Sequence, residues 1–151
     1  MAIERVTIPS RPYVGIRRKV PVTELQPYFM EVLPKVHGWL KSQGIEPASM
    51  PMACWHAMDM YAGIADVQAG CFVSEAIEGE GEITGDTTPA GEALTLTHVG
   101  SYDGMGKSWM SVYGKAKELG LTPGAGWEVY VDDPATVDPA VLRTEITLPV
   151  G

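Results

Sequence analysis

The alternation of apolar and polar residues predicts the same order of elements twice along the chain. Stretches in which apolar residues alternate with polar ones, bounded by Gly and Pro, predict strands at 13–20, 51–59, 65–73, 94–99, 127–131 and 143–148. Between the first and second of these strands, and again between the fourth and fifth, apolar residues recur at helical spacing. The pattern therefore predicts two βαββ units and an α+β fold with antiparallel sheets.

Cap signals set the predicted ends of the two helices. Thr23 and Gln26 have the spacing of a capping box at the start of the first helix, and Ser101 or Asp103 is placed to cap the second. Gly44 and Gly120 are predicted to stop the helices, because glycine readily adopts the left-handed conformation that ends a helix.

A sequence repeat supports this division into halves. The stretch from Val36 to Pro47 returns 76 positions later as Val112 to Pro123, with five identities that include both helix-stopping glycines. At 151 residues the chain is expected to form one domain, 1–151, with half-repeats over about 1–74 and 92–151 and a polar, Gly-rich connector over about 75–91. A seam between two such units is a place where a ligand can bind.

Composition narrows the class of protein. A net charge of −8 argues against direct binding of nucleic acid, which requires clustered Lys and Arg. No apolar run approaches the ~18 residues of a membrane span, so no membrane partner is expected, and the N-terminus lacks the pattern of a secretory signal. A cytoplasmic location is therefore expected. Cys54 and Cys71 are predicted to be buried thiols.

Glu128 is the most informative single residue, because it is a carboxylate within an apolar strand. Strand alternation places Glu128 and Tyr130 on one face and Trp127, Val129 and Val131 on the other. The apolar triplet is expected to pack against the helices, which would leave Glu128 facing a cleft. Burial there would raise the pKa of the carboxyl or require a partner, whereas a glutamate on an edge strand would simply point into water.

The sequence contains few residues suited to metal or cofactor chemistry. Cys54 and His56 would share one strand face, but no second close pair of ligands accompanies them, so no metal is expected. No Gly-rich phosphate loop or nucleophile motif is present in the sequence, and no cofactor is expected.

Several segments, taken in order, resemble the GyrI-like small-molecule-binding family, which also supplies the effector-binding domain of AraC-type and MerR-type regulators. They are Thr97–Gly104, Trp127–Tyr130 followed by Asp133-Pro134, Arg143–Ile146, and the connector glycines Gly79, Gly81 and Gly85 with Pro89-Ala90-Gly91. Ser49-Met50-Pro51 departs from the family pattern. The chain has no helix-turn-helix region and is similar to a stand-alone copy of the binding module.

The resemblance implies a pseudo-twofold arrangement of the halves, with two helices on one side of the sheets and a ligand cleft on the other. It places the family's central carboxylate at Glu128 and a ligand-facing aromatic at Trp55. Tyr102 and Tyr130 are further candidate walls of the cleft, because flat rings bind planar ligands at low entropic cost. Trp109 is a candidate as well, although its place on the apolar face of the second helix equally suits a core residue.

Three functions remain open on these grounds. The first is binding of a small hydrophobic or cationic aromatic molecule. The second, implied by the resemblance, is hydrolysis of reactive, cyclopropane-bearing genotoxins, with Glu128 as general base and Tyr130 or Tyr102 polarising the electrophile. The third is inhibition of a DNA topoisomerase through acidic connector residues. The sequence leaves open whether the protein is an enzyme and which oligomeric state it adopts.

Overall fold

Eight strands and two long helices form over residues 2–151, the part of the chain that the computed structural model describes. They group into two units. A central unit spans Ser10–Thr88, and a terminal unit combines the chain up to Pro9 with Pro89–Gly151. The elements are β1 (Glu4–Ile8), β2 (Pro12–Pro21), α1 (Leu25–Ser42), β3 (Met52–Asp59), β4 (Ile64–Phe72), β5 (Ile83–Thr87), β6 (Gly91–Val99), α2 (Met105–Glu118), β7 (Gly126–Tyr130) and β8 (Arg143–Pro149).

In the central unit, α1 packs on an antiparallel sheet with the strand order β3-β4-β2-β5. Tyr28 ties the helix to this sheet. Its buried hydroxyl donates to the carbonyl oxygen of Ile16 in β2 and accepts the N–H of Ala69 in β4 at 3.0 Å. Burial raises the pKa of Tyr28 to about 12.

In the terminal unit, α2 packs on an antiparallel sheet with the strand order β1-β6-β8-β7. The two middle strands and the helix supply the core. Its buried members are Leu94, Leu96, Met105, Val112, Ala116, Ile146 and Leu148. Burial of these side chains stabilises the unit by about 25 cal/mol for each Å² of apolar surface removed from water.

The two units share one topology, as the sequence predicts. Apart from β1 and β5, each runs strand, helix, strand, strand, and in each the first of these strands pairs with the last, which also pairs with the middle one. The α+β fold is therefore confirmed. A common origin by duplication and the pseudo-twofold relation remain predictions.

Both helices end in the same way, at the predicted glycines. Gly44 and Gly120 each have a φ of 69°. The residue after each glycine donates its N–H back into the last helical turn, from Ile45 to the oxygen of Leu40 and from Leu121 to the oxygen of Ala116, both at 2.9 Å.

The predicted side-chain caps at the helix starts are wrong. No side-chain cap bond forms at the first residue of either helix, and a 3₁₀ turn precedes each one, at Val22–Glu24 and Tyr102–Gly104. In such turns an N–H donates to the carbonyl oxygen three residues earlier, as that of Gly104 does to the oxygen of Ser101 at 3.2 Å. The turn thus satisfies backbone groups that a side chain would otherwise cap.

Two strands were not predicted. β1 pairs with β6 and β5 pairs with β2, so the segment predicted as a plain connector holds a strand. Turn-forming glycines obscure the strand signal there. Gly79 is required because a Cβ at this position would collide with the carbonyl oxygen of Ile83.

Over residues 2–151, neither helix combines the length and the apolarity of a membrane span.

Candidate functional site

Glu128 lies at the middle of β7 with only 5% of its surface exposed. It stands opposite Ile146 of β8 in the antiparallel ladder, and directly opposed residues project from the same face of a sheet. Since Ile146 belongs to the core beneath α2, the Glu128 carboxylate lies on the helix-covered face of the terminal unit.

Trp109 of α2 contacts the carboxylate directly. Its indole Nε1 donates a hydrogen bond to Oε1 of Glu128 at 2.9 Å, while its ring packs against the core of the unit. The outer edge of the ring lies over Gly126, where an added Cβ would approach Trp109 Cη2 to 2.7 Å. Gly126 therefore provides the space in which the indole reaches Glu128.

This arrangement corrects the predicted strand face. The alternation of Glu128 and Tyr130 against Trp127 and Val129 is real, but Glu128 rather than Trp127 points towards the helix side. The prediction is wrong because the strand is buried on both faces at Gly126, Trp127 and Glu128. In such a strand the more apolar face does not identify the side that the helix covers.

Two tyrosines extend the site beyond the carboxylate. The rings of Tyr102 and Tyr130 meet edge to face, with centroids 5.7 Å apart. Burial raises the pKa of Tyr102, and the negative charge of Glu128 raises it further. The phenol of Tyr102 is therefore close enough to the carboxylate to respond to its charge, and its 40% exposure opens the group to solvent.

A buried polar row borders these residues. Thr144 of β8 stands opposite both Tyr130 and His98. His98 Nδ1 pairs with Ser108 Oγ at 2.7 Å, and Nε2 lies 2.8 Å from the carbonyl oxygen of Ser101, to which it donates. Thr144 is fully buried, and among the described residues its Oγ1 finds no hydrogen-bond partner.

Trp55 belongs to the central unit. It stands in β3 opposite Val67 of β4, and its half-buried ring meets Phe29 of α1 edge to face, with centroids 6.4 Å apart. Trp55 thus lies on the face of the central sheet that α1 covers.

Cys54 and His56, considered above as metal ligands, are buried or hydrogen-bonded within the fold. Cys54 and Cys71 are buried free thiols, as predicted, and burial raises the pKa of each to about 11. His56 Nε2 pairs with Gln68 Oε1 at 2.8 Å, and the same oxygen accepts from the hydroxyl of Tyr13 at 3.3 Å. Within residues 2–151, no group of three potential ligands is placed to hold a metal ion.

The structure therefore brings four of the five predicted site residues together in the terminal unit, namely Tyr102, Trp109, Glu128 and Tyr130. Sequence reasoning missed Gly126 and Thr144. Alternation along β8 could have placed Thr144 on the face of Ile146, but its adjacency to Tyr130 depends on the register between β7 and β8.

A buried carboxylate bordered by aromatic rings on an α+β sheet is typical of a domain that binds small molecules. The model of the GyrI-like small molecule binding domain matches residues 1–151. The chain belongs to this family, as its motifs indicated. No curated protein matches it significantly.

Solved structures share the fold at low sequence identity. The C-terminal domain of EcmrR is 22% identical with a TM-score of 0.84, and the match covers 99% of this chain and 97% of that one. The EcmrR chain in a DNA complex gives the same identity and TM-score, but this chain spans only 57% of its length. SAV2435 bound to tetraphenylphosphonium is 12% identical with a TM-score of 0.69, covering 100% of this chain and 94% of that one.

Proposed function

We propose that this chain binds hydrophobic aromatic cations at the Glu128 site of the terminal unit. The observation that carries the proposal is a carboxylate only 5% exposed that is held by the indole of Trp109. Burying a charge costs free energy unless the charge is paired or hydrogen-bonded. Burial also strengthens the attraction between a carboxylate and a cation.

The aromatic side chains support the same ligand class. Tyr102, Trp109 and Tyr130 can contact a flat ligand with their rings, and each ring face attracts a cation. The exposure of Tyr102 gives the ligand a first point of contact. A protein of the same fold has been captured with a hydrophobic cation, tetraphenylphosphonium, which is a suitable first probe.

Calorimetric titration with tetraphenylphosphonium tests the proposal. Triphenylphosphine oxide, which is neutral and also carries phenyl rings, serves as the matched ligand. Glu128→Gln should weaken binding of the cation by about tenfold to a hundredfold, the value of a partly buried charge pair, and change that of the neutral compound little. Calorimetry is preferred to tryptophan fluorescence because Glu128→Gln alters the hydrogen bond of Trp109.

Glu145→Gln is the matched control. Glu145 lies on β8 opposite Val129, one strand away from Glu128 and exposed on the other face of the sheet. The substitution removes the same charge without touching the site. Equal losses in the two variants would mean that net charge alone attracts the cation, and the site assignment would fail.

The affinity for the cation should also depend on pH. A cation favours the ionised carboxylate, so binding should release protons and weaken as acidification protonates Glu128. The neutral ligand should show little change when both are titrated between about pH 4 and pH 8, which spans the usual range of carboxyl groups and histidine. Parallel profiles for the two ligands would contradict a role for Glu128.

Hydrolysis of a reactive electrophile is the second candidate function, favoured by the presence in one site of a carboxylate and a phenol, Tyr102, whose pKa the charge of Glu128 raises. Glu128 would take a proton from water while the water oxygen bonds to a cyclopropane carbon. The ring C–C bond would break, with its electrons stabilised on a conjugated oxygen that Tyr102 hydrogen-bonds. Mass spectrometry would detect addition of water. Turnover equal to that of Glu128→Gln would exclude this route.

A protein-inhibitor role has weaker support. Two of the connector acids make contacts within the chain: Glu80 accepts from the indole of Trp39 at 2.9 Å, and Glu82 pairs with Arg18 at 2.9 Å. These contacts favour a structural role for the acids. The inhibitor hypothesis would be supported only if this chain captured a topoisomerase from cell extract in a fixed ratio.

A further inference from the structure

One buried group next to the Glu128 site has an unmet hydrogen-bonding capacity. Thr144 is fully buried, and its Oγ1 has no partner among residues 2–151. Buried hydroxyls are nearly always hydrogen-bonded, because leaving one unpaired forfeits its hydration. An exception at the edge of a binding site calls for a functional explanation.

The register shows on which face of the sheet the Thr144 side chain lies. Thr144 is directly opposite Tyr130, and Glu128 is opposite Ile146, two residues further along β8. Thr144 and Glu128 are therefore diagonal neighbours on the helix-covered face, with side chains about 7 Å apart. Groups at that separation can contact one small ligand head together.

The polar neighbour across the sheet does not satisfy Thr144. His98 stands opposite it on β6, but both ring nitrogens are engaged, one with Ser108 and the other with the carbonyl oxygen of Ser101. The aromatic neighbour Tyr130 meets the ring of Tyr102, which is partly exposed. A ligand that enters beside these two rings would approach the hydroxyl and the carboxylate on the same side.

We propose that the site selects aromatic cations whose charge is carried by a nitrogen with at least two N–H groups, such as a primary ammonium or an amidinium. This inference rests on the proposed function and refines its ligand class. One N–H donates to the Glu128 carboxylate and a second to Thr144 Oγ1, which accepts with its lone pairs. A quaternary cation retains the attraction of charge but leaves Thr144 unpaired.

A matched pair of ligands tests this inference: anthracenylmethylammonium and its N-trimethyl analogue, titrated by calorimetry. The intact protein should bind the primary ammonium about tenfold more tightly, the value of a hydrogen bond to a charged donor. Thr144→Val keeps the shape of the side chain and should clearly reduce this preference, leaving only the part that comes from the N–H bond to Glu128. Thr144→Ser keeps a hydroxyl and should retain the preference.

Thr147→Val is the matched control on the same strand. Thr147 stands opposite Trp127 on the other face of β8, so its loss should leave both affinities unchanged. Thr144→Val should also leave the free energy of unfolding at or above that of the intact protein, since it removes an unpaired buried polar atom. A marked loss of stability would show that the hydroxyl has a partner within the fold, and would overturn the inference.

The remaining outcomes separate this inference from the proposed function. If both cations bind equally through Glu128, the selection by Thr144 is wrong and the proposed function stands. A preference for the primary ammonium that is undiminished in Thr144→Val also contradicts the role of Thr144. If neither cation binds, both proposals fall together.

Discussion

Gly126 is the residue on which the geometry of the site depends most directly. A Cβ at this position would lie 2.7 Å from Trp109 Cη2, so Gly126→Ala should push the indole away from Glu128. We expect a loss of about 1–3 kcal/mol in the free energy of unfolding, as for other overpacked positions, together with weaker cation binding. Urea denaturation and calorimetry measure the two effects.

Gly124→Ala is the control for this substitution. Gly124 lies two residues earlier, and its nearest neighbour to an added Cβ is Pro149 Cβ at 3.7 Å, an ordinary contact. The control should bind the cation like the intact protein. If Gly126→Ala also bound normally, the position of Trp109 would not matter for the ligand.

At the scale of elements, the Tyr28 hydroxyl connects α1 to β2 and β4 and makes stability depend on pH. Burial raises the pKa of Tyr28 in the folded state to about 12, above the usual value of about 10. The folded state thus holds the phenol proton more tightly. Its contribution to stability is complete below about pH 10 and is lost as the pH rises through 12.

Tyr28→Phe should therefore lower the free energy of unfolding at neutral pH by about 1–3 kcal/mol, because Ile16 and Ala69 lose a buried partner. It should also reduce the slope of stability against pH between about 10 and 12. The exposed Tyr61 provides the control, since Tyr61→Phe should change neither quantity. An unchanged alkaline slope in Tyr28→Phe would contradict the assignment.

Most elements could be predicted from the sequence because their signals are local. Alternation located six strands within two or three residues, and Gly44 and Gly120 marked both helix ends. The helix starts failed because 3₁₀ turns replaced the side-chain caps. Strand β5 was hidden because it is a short edge strand next to several glycines.

The site was predictable only in part. Glu128 and its aromatic neighbours could be recognised as residue types and from the family motifs. The face of β7 could not, because burial on both sides removes the contrast on which an amphipathic pattern depends. Gly126 and Thr144 gain their roles from packing across elements, which is fixed by register rather than by local sequence.

At the scale of the whole molecule, ligand binding should appear as added stability. A ligand that binds only the folded chain stabilises it by about 2.7 kcal/mol at a hundredfold excess over Kd. Tetraphenylphosphonium should therefore raise the Tm of the intact protein and of Glu145→Gln, and much less that of Glu128→Gln at the same concentration. An equal rise in all three would place binding away from Glu128.

A crystal structure of the chain with tetraphenylphosphonium would show directly whether Glu128 receives the cation. We expect the phosphonium to lie beside the Glu128 carboxylate, with its phenyl rings against Tyr102, Trp109 or Tyr130. A cation bound at the surface, away from the helix-covered face of β7, with the carboxylate still held by Trp109 and untouched by ligand, would contradict the claim.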